Sequence, residues 1–188
     1  MMNKSAKTLV CFILFQLLAF AAMTQEDTSR YIKWSPDRAI VWSDFKGSPD
    51  SINFSGAFIV KGIFYTCIPL ENGECKWLLY AYVNPKESCV NFRSDLLLMH
   101  ERIHFDICEY FARIYRKRIK QYLDTAEMVD CDILNSLVDK MWDEEKSMQE
   151  QYDKETNHSR DEVKQEEWTQ KVRKWLEELK EYAEPVSE

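Results

Sequence analysis

Two of the three histidines in this 188-residue chain lie four residues apart, in the stretch LLLMHERIHFDICEY at positions 96–110. They are His100 and His104, and with Glu101 they form an HExxH pattern. On an α-helix, residues four apart lie about 40° from each other around the axis, so both imidazoles can bind one metal ion. Glu101 can then take a proton from water that the metal activates. The pattern predicts a zinc site with Glu101 as the general base; the alternative is a helix that carries two surface or core-edge histidines.

A catalytic zinc ion usually has three protein ligands and one open position, so a third ligand is needed. Glu109 is five residues past His104, about 140° around the helix, and faces away from the histidines. Cys108 lies on the right face, but three ligands on one straight helix would be too nearly in line. The remaining histidine, His158, lies in a loop and is the candidate third ligand. The alternative is that its side chain is simply solvated.

Two residues near His158 are further candidates for the site. Tyr152 could donate a hydrogen bond to the oxyanion that forms when a peptide carbonyl is attacked. Asp153 could orient one of the imidazoles from behind the metal ligands. Both residues can equally be ordinary helix-end residues.

Three helices are predicted from Ser94 onward. Ser94 caps the first, which carries the HExxH pattern and runs to about Tyr122. The second helix starts at 124–125 and continues to about Tyr152, with apolar residues at helical spacing. The third starts at the capping box formed by Ser159 and Glu162. The apolar stripes are Met128, Ile133, Leu134, Leu137, Val138, Met141 and Trp142 in the second helix, and Val163, Trp168, Val172, Trp175, Leu176 and Leu179 in the third.

Strands are predicted before the helices. Residues 57–67 and 76–83 are rich in aromatic and branched side chains and are separated by a loop that contains Asn72-Gly73, which is typical of an antiparallel hairpin. A short strand is expected at 39–42, between turns. These elements predict an α+β fold, in which a small antiparallel sheet, the hairpin plus an N-terminal strand, packs on three helices; the HExxH pattern on the first helix makes the expected fold zincin-like.

Composition and charge limit the classes of function. With 45% hydrophobic residues the chain can fill the core of one domain. A net charge of -7 and the absence of a sustained basic tract argue against nucleic acid as a partner.

Residues 1–24 are predicted to be a signal peptide, because a basic segment is followed by an apolar run and by the small residues of a cleavage site. The alternative is a membrane anchor that is kept. Residues 25–188 then form a single metallopeptidase domain with no stable membrane span. We expect it to be secreted or periplasmic, where disulfides can form. Cys67 and Cys75 could bridge the hairpin, although the pairing of the five mature cysteines stays open.

Four segments resemble a family of bacterial zinc-dependent proteases of the cell envelope, catalogued as domain of unknown function 922. They are VWSDFKGSPD at 41–50, LLLMHERIHFDICEYFAR at 96–113, YDKETNHS at 152–159 and Trp168. The resemblance implies a zinc peptidase with His100, His104 and His158 as ligands and Glu101 as the base. It departs from the family after His158, where a serine stands in place of the usual glycine. A family arginine corresponds to Arg113, for which an ion pair with Glu109 is expected.

Two functions follow from these patterns. The first is a secreted zinc peptidase that cleaves a protein or peptide lying extended beside an edge strand of the hairpin. The second is a non-catalytic envelope protein with a structural or vestigial metal site. In that case Trp34, Trp42 and Phe45 would form a partner surface.

Overall fold

The computed structural model describes residues 30–51, 53, 55–69 and 75–184. The predicted signal peptide and the Asn72-Gly73 turn lie outside the described residues. The strands, in chain order, are β1 (Ile32–Lys33), β2 (Ala57–Phe58), β3 (Lys61–Pro69), β4 (Cys75–Val83) and β5 (Cys89–Val90). The α-helices are α1 (Asp95–Leu123), α2 (Cys131–Glu155) and α3 (Glu162–Glu178), and short 3-10 helices lie at Trp42–Asp44, Pro49–Ser51 and Lys180–Tyr182.

The sheet confirms the predicted hairpin, except that Ala57–Phe58, at the start of the predicted first strand, is a separate strand that pairs elsewhere. β3 and β4 pair antiparallel along their whole length, and β1 pairs with the other side of β4, which gives the strand order β1-β4-β3. β2 and β5 form a separate two-stranded ribbon. Together with the three helices this is the predicted α+β fold, a small antiparallel sheet packed on helices. Within the described residues, β3 is an edge strand.

Alternation of side chains along β4 explains how the sheet meets the helices. Trp77, Leu79, Ala81 and Val83 are all buried, and the residues between them are less so. Successive side chains of a strand point to opposite faces, so one face of the hairpin is apolar and packs on α1.

The first helix begins where Ser94 predicts. The Ser94 hydroxyl accepts a hydrogen bond from the Leu97 amide at 3.1 Å, and α1 then continues for 29 residues. Its contacts extend to both long strands on one side and to α2 and α3 on the other. The helix that carries the HExxH pattern is therefore the central element of the core, and its buried residues include Ile107, Cys108 and Tyr115.

The strand expected at 39–42 is wrong. Ile40 is buried, but its carbonyl accepts from Arg102 Nε at 2.8 Å rather than from a neighbouring strand. The Val41 amide donates to the Asp44 carboxylate at 2.9 Å, and a 3-10 turn follows. Side chains satisfy this backbone locally, so the N-terminal strand of the sheet is β1 instead.

The second helix starts at Cys131, six or seven residues later than expected, with Asp130 as its N-cap. Thr125 donates its hydroxyl to the carbonyl of Tyr122, and the Tyr122 hydroxyl accepts from the Asp130 amide, so this segment turns instead of continuing as helix. In consequence Met128 is 85% exposed. Ile133 and Trp142 are also exposed, although the apolar spacing predicts them inside.

The prediction of a capping box formed by Ser159 and Glu162 is also wrong. Asp161 caps α3 by accepting from the Lys164 amide at 2.9 Å, and Ser159 has a φ of 69°, a left-handed conformation unlike the extended one that an N-cap needs. Trp168 and Val172 of the predicted stripe are buried, whereas Val163 is exposed.

Among the described residues, no helix has the length and apolarity that a membrane crossing requires. Cys67 is disulfide-bonded, and Cys89 and Cys108 are buried free thiols; the bridge from Cys67 to Cys75 stays a prediction. The three aromatic residues of the expected partner surface do not form one. Phe45 is part of the core, and Trp34 and Trp42 are partly buried and pack against it.

A buried ionic cluster ties α1 to the C-terminal segment. Glu109 accepts from Arg113 Nε at 2.9 Å, which confirms the expected ion pair, and from Arg116 at 3.1 Å. Both arginines also donate to backbone carbonyls, including those of Leu176 and Ala183. Because these charged groups are almost fully buried, each depends on the others to offset its lost hydration.

Replacing Glu109 with alanine should therefore lower the free energy of unfolding by about 3–5 kcal/mol, because it leaves two guanidinium groups buried without a counter-charge. Urea unfolding measures the change. As a control, Lys174→Ala removes an exposed i,i+4 pair with Glu178 and should cost less than about 0.5 kcal/mol. Equal losses in the two variants would contradict this account of the cluster.

Candidate metal centre

Three acceptor atoms from two helices converge at one point. His100 and His104 lie one turn apart on α1, and their Nε2 atoms are 3.1 Å apart. Asp153, near the end of α2, places Oδ1 3.0 Å from His100 Nε2 and 3.1 Å from His104 Nε2. Both imidazoles are buried, while the aspartate is about one-third exposed. The HExxH helix thus supplies two potential ligands and α2 supplies a third.

Gln165 of α3 fixes the orientation and the protonation of His100. Its Oε1 lies 3.1 Å from His100 Nδ1. The other end of the amide, Nε2, donates to the Tyr152 hydroxyl, which itself donates to the carbonyl of His100 at 3.3 Å. Because the amide nitrogen of Gln165 donates to Tyr152, the amide oxygen is the atom that faces the imidazole ring. Nδ1 therefore carries the proton, and the lone pair of Nε2 faces Asp153.

Gln149 of α2 does the same for His104. Its Oε1 lies 2.5 Å from His104 Nδ1, and its Nε2 donates to the His104 carbonyl at 3.0 Å and to the Glu145 carboxylate at 2.6 Å. Both of those partners can only accept, so the amide oxygen must face the imidazole. Both histidines thus have their Nδ1 atoms protonated and their Nε2 lone pairs directed at the same point.

This arrangement fits a bound cation. Two imidazole lone pairs and a carboxylate oxygen within 3.1 Å of one another repel unless a positive charge lies among them. Tetrahedral ligands at the usual zinc distances of about 2.0–2.1 Å are about 3.3 Å apart, close to the separations here. Two histidines and one carboxylate are also a ligand set that suits zinc. His100, His104 and Asp153 could therefore hold a metal ion.

The carboxylate of Asp153 is matched to that role. Burial alone would raise its pKa, but the proximity of the His100 and His104 imidazoles outweighs burial and holds the pKa well below the usual range. Asp153 is therefore ionised at neutral pH. The sequence assigns this residue to the orientation of an imidazole, whereas the structure places its oxygen among the atoms that a metal would bind.

Glu101 lines a cavity of about 660 Å³ beside these three residues. It is 4% exposed, and burial raises the pKa of its carboxyl, although the nearby His104, His100 and Lys61 act in the opposite direction. A carboxylate with a raised pKa is a better proton acceptor at neutral pH than an ordinary surface glutamate. The cavity gives it access to a water molecule and a substrate.

Tyr152 packs behind the metal-binding atoms. Its ring stacks on His100 with centroids 4.6 Å apart, and the side chain is fully buried. Burial raises the pKa of its hydroxyl far above the usual range, and the hydroxyl is bonded to Gln165 and to the carbonyl of His100. The structure thus brings Tyr152 to the site as a support for the first imidazole.

His158 lies at the mouth of the cavity. Its side chain is 72% exposed, and Nδ1 is 3.6 Å from Asp153 Oδ1. It belongs to three consecutive left-handed residues, from Asn157 to Ser159, with φ values of 48°, 51° and 69°. Such a run is costly for residues other than glycine and is found where function or packing holds it.

Gln149 and Gln165 are absent from the sequence-based site, although each carries a signal. Gln149 is four residues before Asp153 on one helix, so the two share a face. Gln165 interrupts the apolar stripe of α3 that contains Trp168 and Val172, and it is completely buried. A buried glutamine needs a polar partner, which here is His100.

Comparisons of this chain with protein-family models, with curated proteins and with solved structures find no match. The family resemblance stays a prediction, and the function has to be argued from the geometry.

The structure and the family resemblance differ on the third ligand, and metal affinity separates them. Asp153→Ala should weaken zinc binding by more than about 100-fold, beyond the usual effect of losing a group outside the coordination sphere. His158→Ala should weaken it by less than about tenfold. Competition with a chromophoric chelator measures both affinities. The opposite ranking would make His158 the ligand.

The two glutamines should act on the metal through the histidines. Gln165→Leu removes the acceptor of the His100 Nδ1 proton and should lower zinc affinity about 10- to 100-fold. Gln165→Glu keeps an acceptor there and is the matched control, with a smaller loss expected. Isothermal titration of the two variants tests this, and equal losses would assign Gln165 to packing alone.

Proposed function

We propose that this protein is a zinc-dependent peptidase that hydrolyses peptide bonds in protein or peptide substrates. The observation that carries the proposal is the convergence of two Nε2 lone pairs and the Asp153 carboxylate next to a buried glutamate in an open cavity. A purely structural zinc site has four protein ligands and no cavity. Three donors that face a space of about 660 Å³ instead leave room for water and substrate.

Zinc held by such a set would lower the pKa of bound water toward neutrality and polarise the carbonyl of the substrate. Glu101 accepts the proton of the attacking water and then donates it to the leaving amine. His100 and His104 stay in one tautomer throughout, because Gln165 and Gln149 hold their Nδ1 protons. Tyr152 keeps the first imidazole in place by stacking.

Two histidines and one carboxylate also bind ferrous iron in oxygenases, so the metal ligands alone do not choose the reaction. Glu101 favours hydrolysis. It directly follows the first histidine and lines the same cavity as both imidazoles. Hydrolysis needs a general base in that place, whereas the metal chemistry of an oxygenase does not depend on one.

Replacing Glu101 with glutamine tests the proposal. Zinc-loaded wild-type protein should cleave an unstructured protein such as casein. Glu101→Gln should be slower by about 10²–10⁴-fold, the usual contribution of a general acid–base group, while it still binds one zinc ion per chain. Glu144→Gln, a partly exposed glutamate of α2, is the control and should cleave normally.

In the same experiment, the activity of the wild-type protein is measured after loading with zinc, after loading with ferrous iron and after chelation. A Glu101→Gln protein that cleaves at the wild-type rate with zinc bound would refute the proposed role of the glutamate. A wild-type protein that binds zinc tightly and cleaves nothing would favour the non-catalytic envelope protein.

A further inference from the structure

The lining of the catalytic cavity contains two exposed phenylalanines. Phe58 of β2 is 54% exposed, and Phe92, which follows β5, is 52% exposed. Both lie in or directly beside the two-stranded ribbon: Phe58 pairs with Cys89, and just beyond the ribbon the Phe92 amide donates to the carbonyl of Gly56 at 3.2 Å. Neither ring is needed to fill the core. Exposed apolar side chains that line a cavity together with polar groups are typical of a binding surface.

The same cavity carries positive charge beyond the groups that handle metal and proton. Lys61 at the start of β3 and Arg160 in the loop between α2 and α3 both line it. Within the described part of the chain, neither side chain forms an ion pair. Lys61 is close enough to Glu101 to act on it electrostatically. The two carboxylates of the same lining, Glu101 and Asp153, interact with His100 and His104, so the unpaired Lys61 and Arg160 favour an anionic ligand.

These two features together define a substrate class. We infer that the cavity selects peptides in which a large apolar side chain, packed against Phe58 and Phe92, accompanies a carboxylate bound by Lys61 and Arg160. The inference rests on the proposed peptidase function, since it names the substrate of the same site. The carboxylate can belong to an acidic side chain or to the C-terminus of the peptide.

Cleavage of matched fluorogenic peptides by the zinc-loaded protein tests the inference. The parent peptide carries Phe and Glu near the scissile bond, and variants carry Ser in place of Phe or Gln in place of Glu. Each is made with a free and with an amidated C-terminus. We expect kcat/KM for the parent to exceed that of each substituted peptide by about tenfold or more, the range for a lost apolar or charged contact. A preference for the free C-terminus over the amide identifies the terminal carboxylate as the bound group.

Protein variants assign the selectivity to the residues. Lys61→Gln should reduce the Glu-to-Gln rate ratio toward one, and Phe92→Ser should reduce the Phe-to-Ser ratio. Lys174→Gln and Met128→Ser replace exposed residues outside the cavity lining and should change neither ratio. Ratios that stay unchanged in the two cavity variants would overturn the inference even if peptides are cleaved.

Peptide binding to the Glu101→Gln protein separates failure of the inference from failure of the proposed function. Selective binding of the labelled parent peptide, measured by fluorescence anisotropy, together with no cleavage by the wild type would uphold the ligand class and refute the peptidase. Cleavage of all the peptides at similar rates would uphold the peptidase and refute the ligand class. Neither selective binding nor cleavage would overturn both.

Discussion

Everything proposed for this protein depends on three acceptor atoms that the fold holds within 3.1 Å of one another. At this distance in a buried site, acceptor atoms repel one another through their lone pairs unless a positive charge lies between them. The two glutamines sharpen the constraint, since they keep a proton on Nδ1 of each imidazole and so leave both Nε2 atoms free for a cation. One helix supplies the histidines, while the other two supply the carboxylate and the amides. The candidate metal centre thus depends on the packing of all three helices.

The first helix can hold this site within the core because its different faces contact different parts of the protein. One face carries the imidazoles and the base, and another buries Glu109 with two arginines that hold the C-terminal segment. On another part of the helix, the Arg102 side chain donates to the Ile40 carbonyl and so holds the segment around Ile40 against the helix. That contact explains a charged residue inside the HExxH pattern, because the side chain points away from the metal ligands. The helix that holds the site is thus packed against the sheet, against both other helices and against the C-terminal segment.

Local signals were sufficient for the parts of the fold that depend on local physics. Ser94 caps the first helix as expected, and the alternation in the hairpin matches the observed pairing. The start of the second helix could not be found this way, because a hydroxyl of Tyr122 outside that helix accepts from the Asp130 amide. The HExxH pattern located three residues of the site. Asp153 and Gln165 meet the histidines across 49 to 65 residues of chain, and only the packing of the helices decides which polar residues arrive there.

The central claim is that two imidazoles and the carboxylate of Asp153 form an open zinc site. X-ray absorption spectroscopy of the zinc-loaded protein tests it most directly, because scattering from the imidazole rings counts the histidine ligands. We expect one zinc ion per chain, bound by two histidines and by oxygen atoms as the remaining ligands at about 2.0–2.2 Å. Three histidines, any sulfur ligand, or no bound zinc would contradict it.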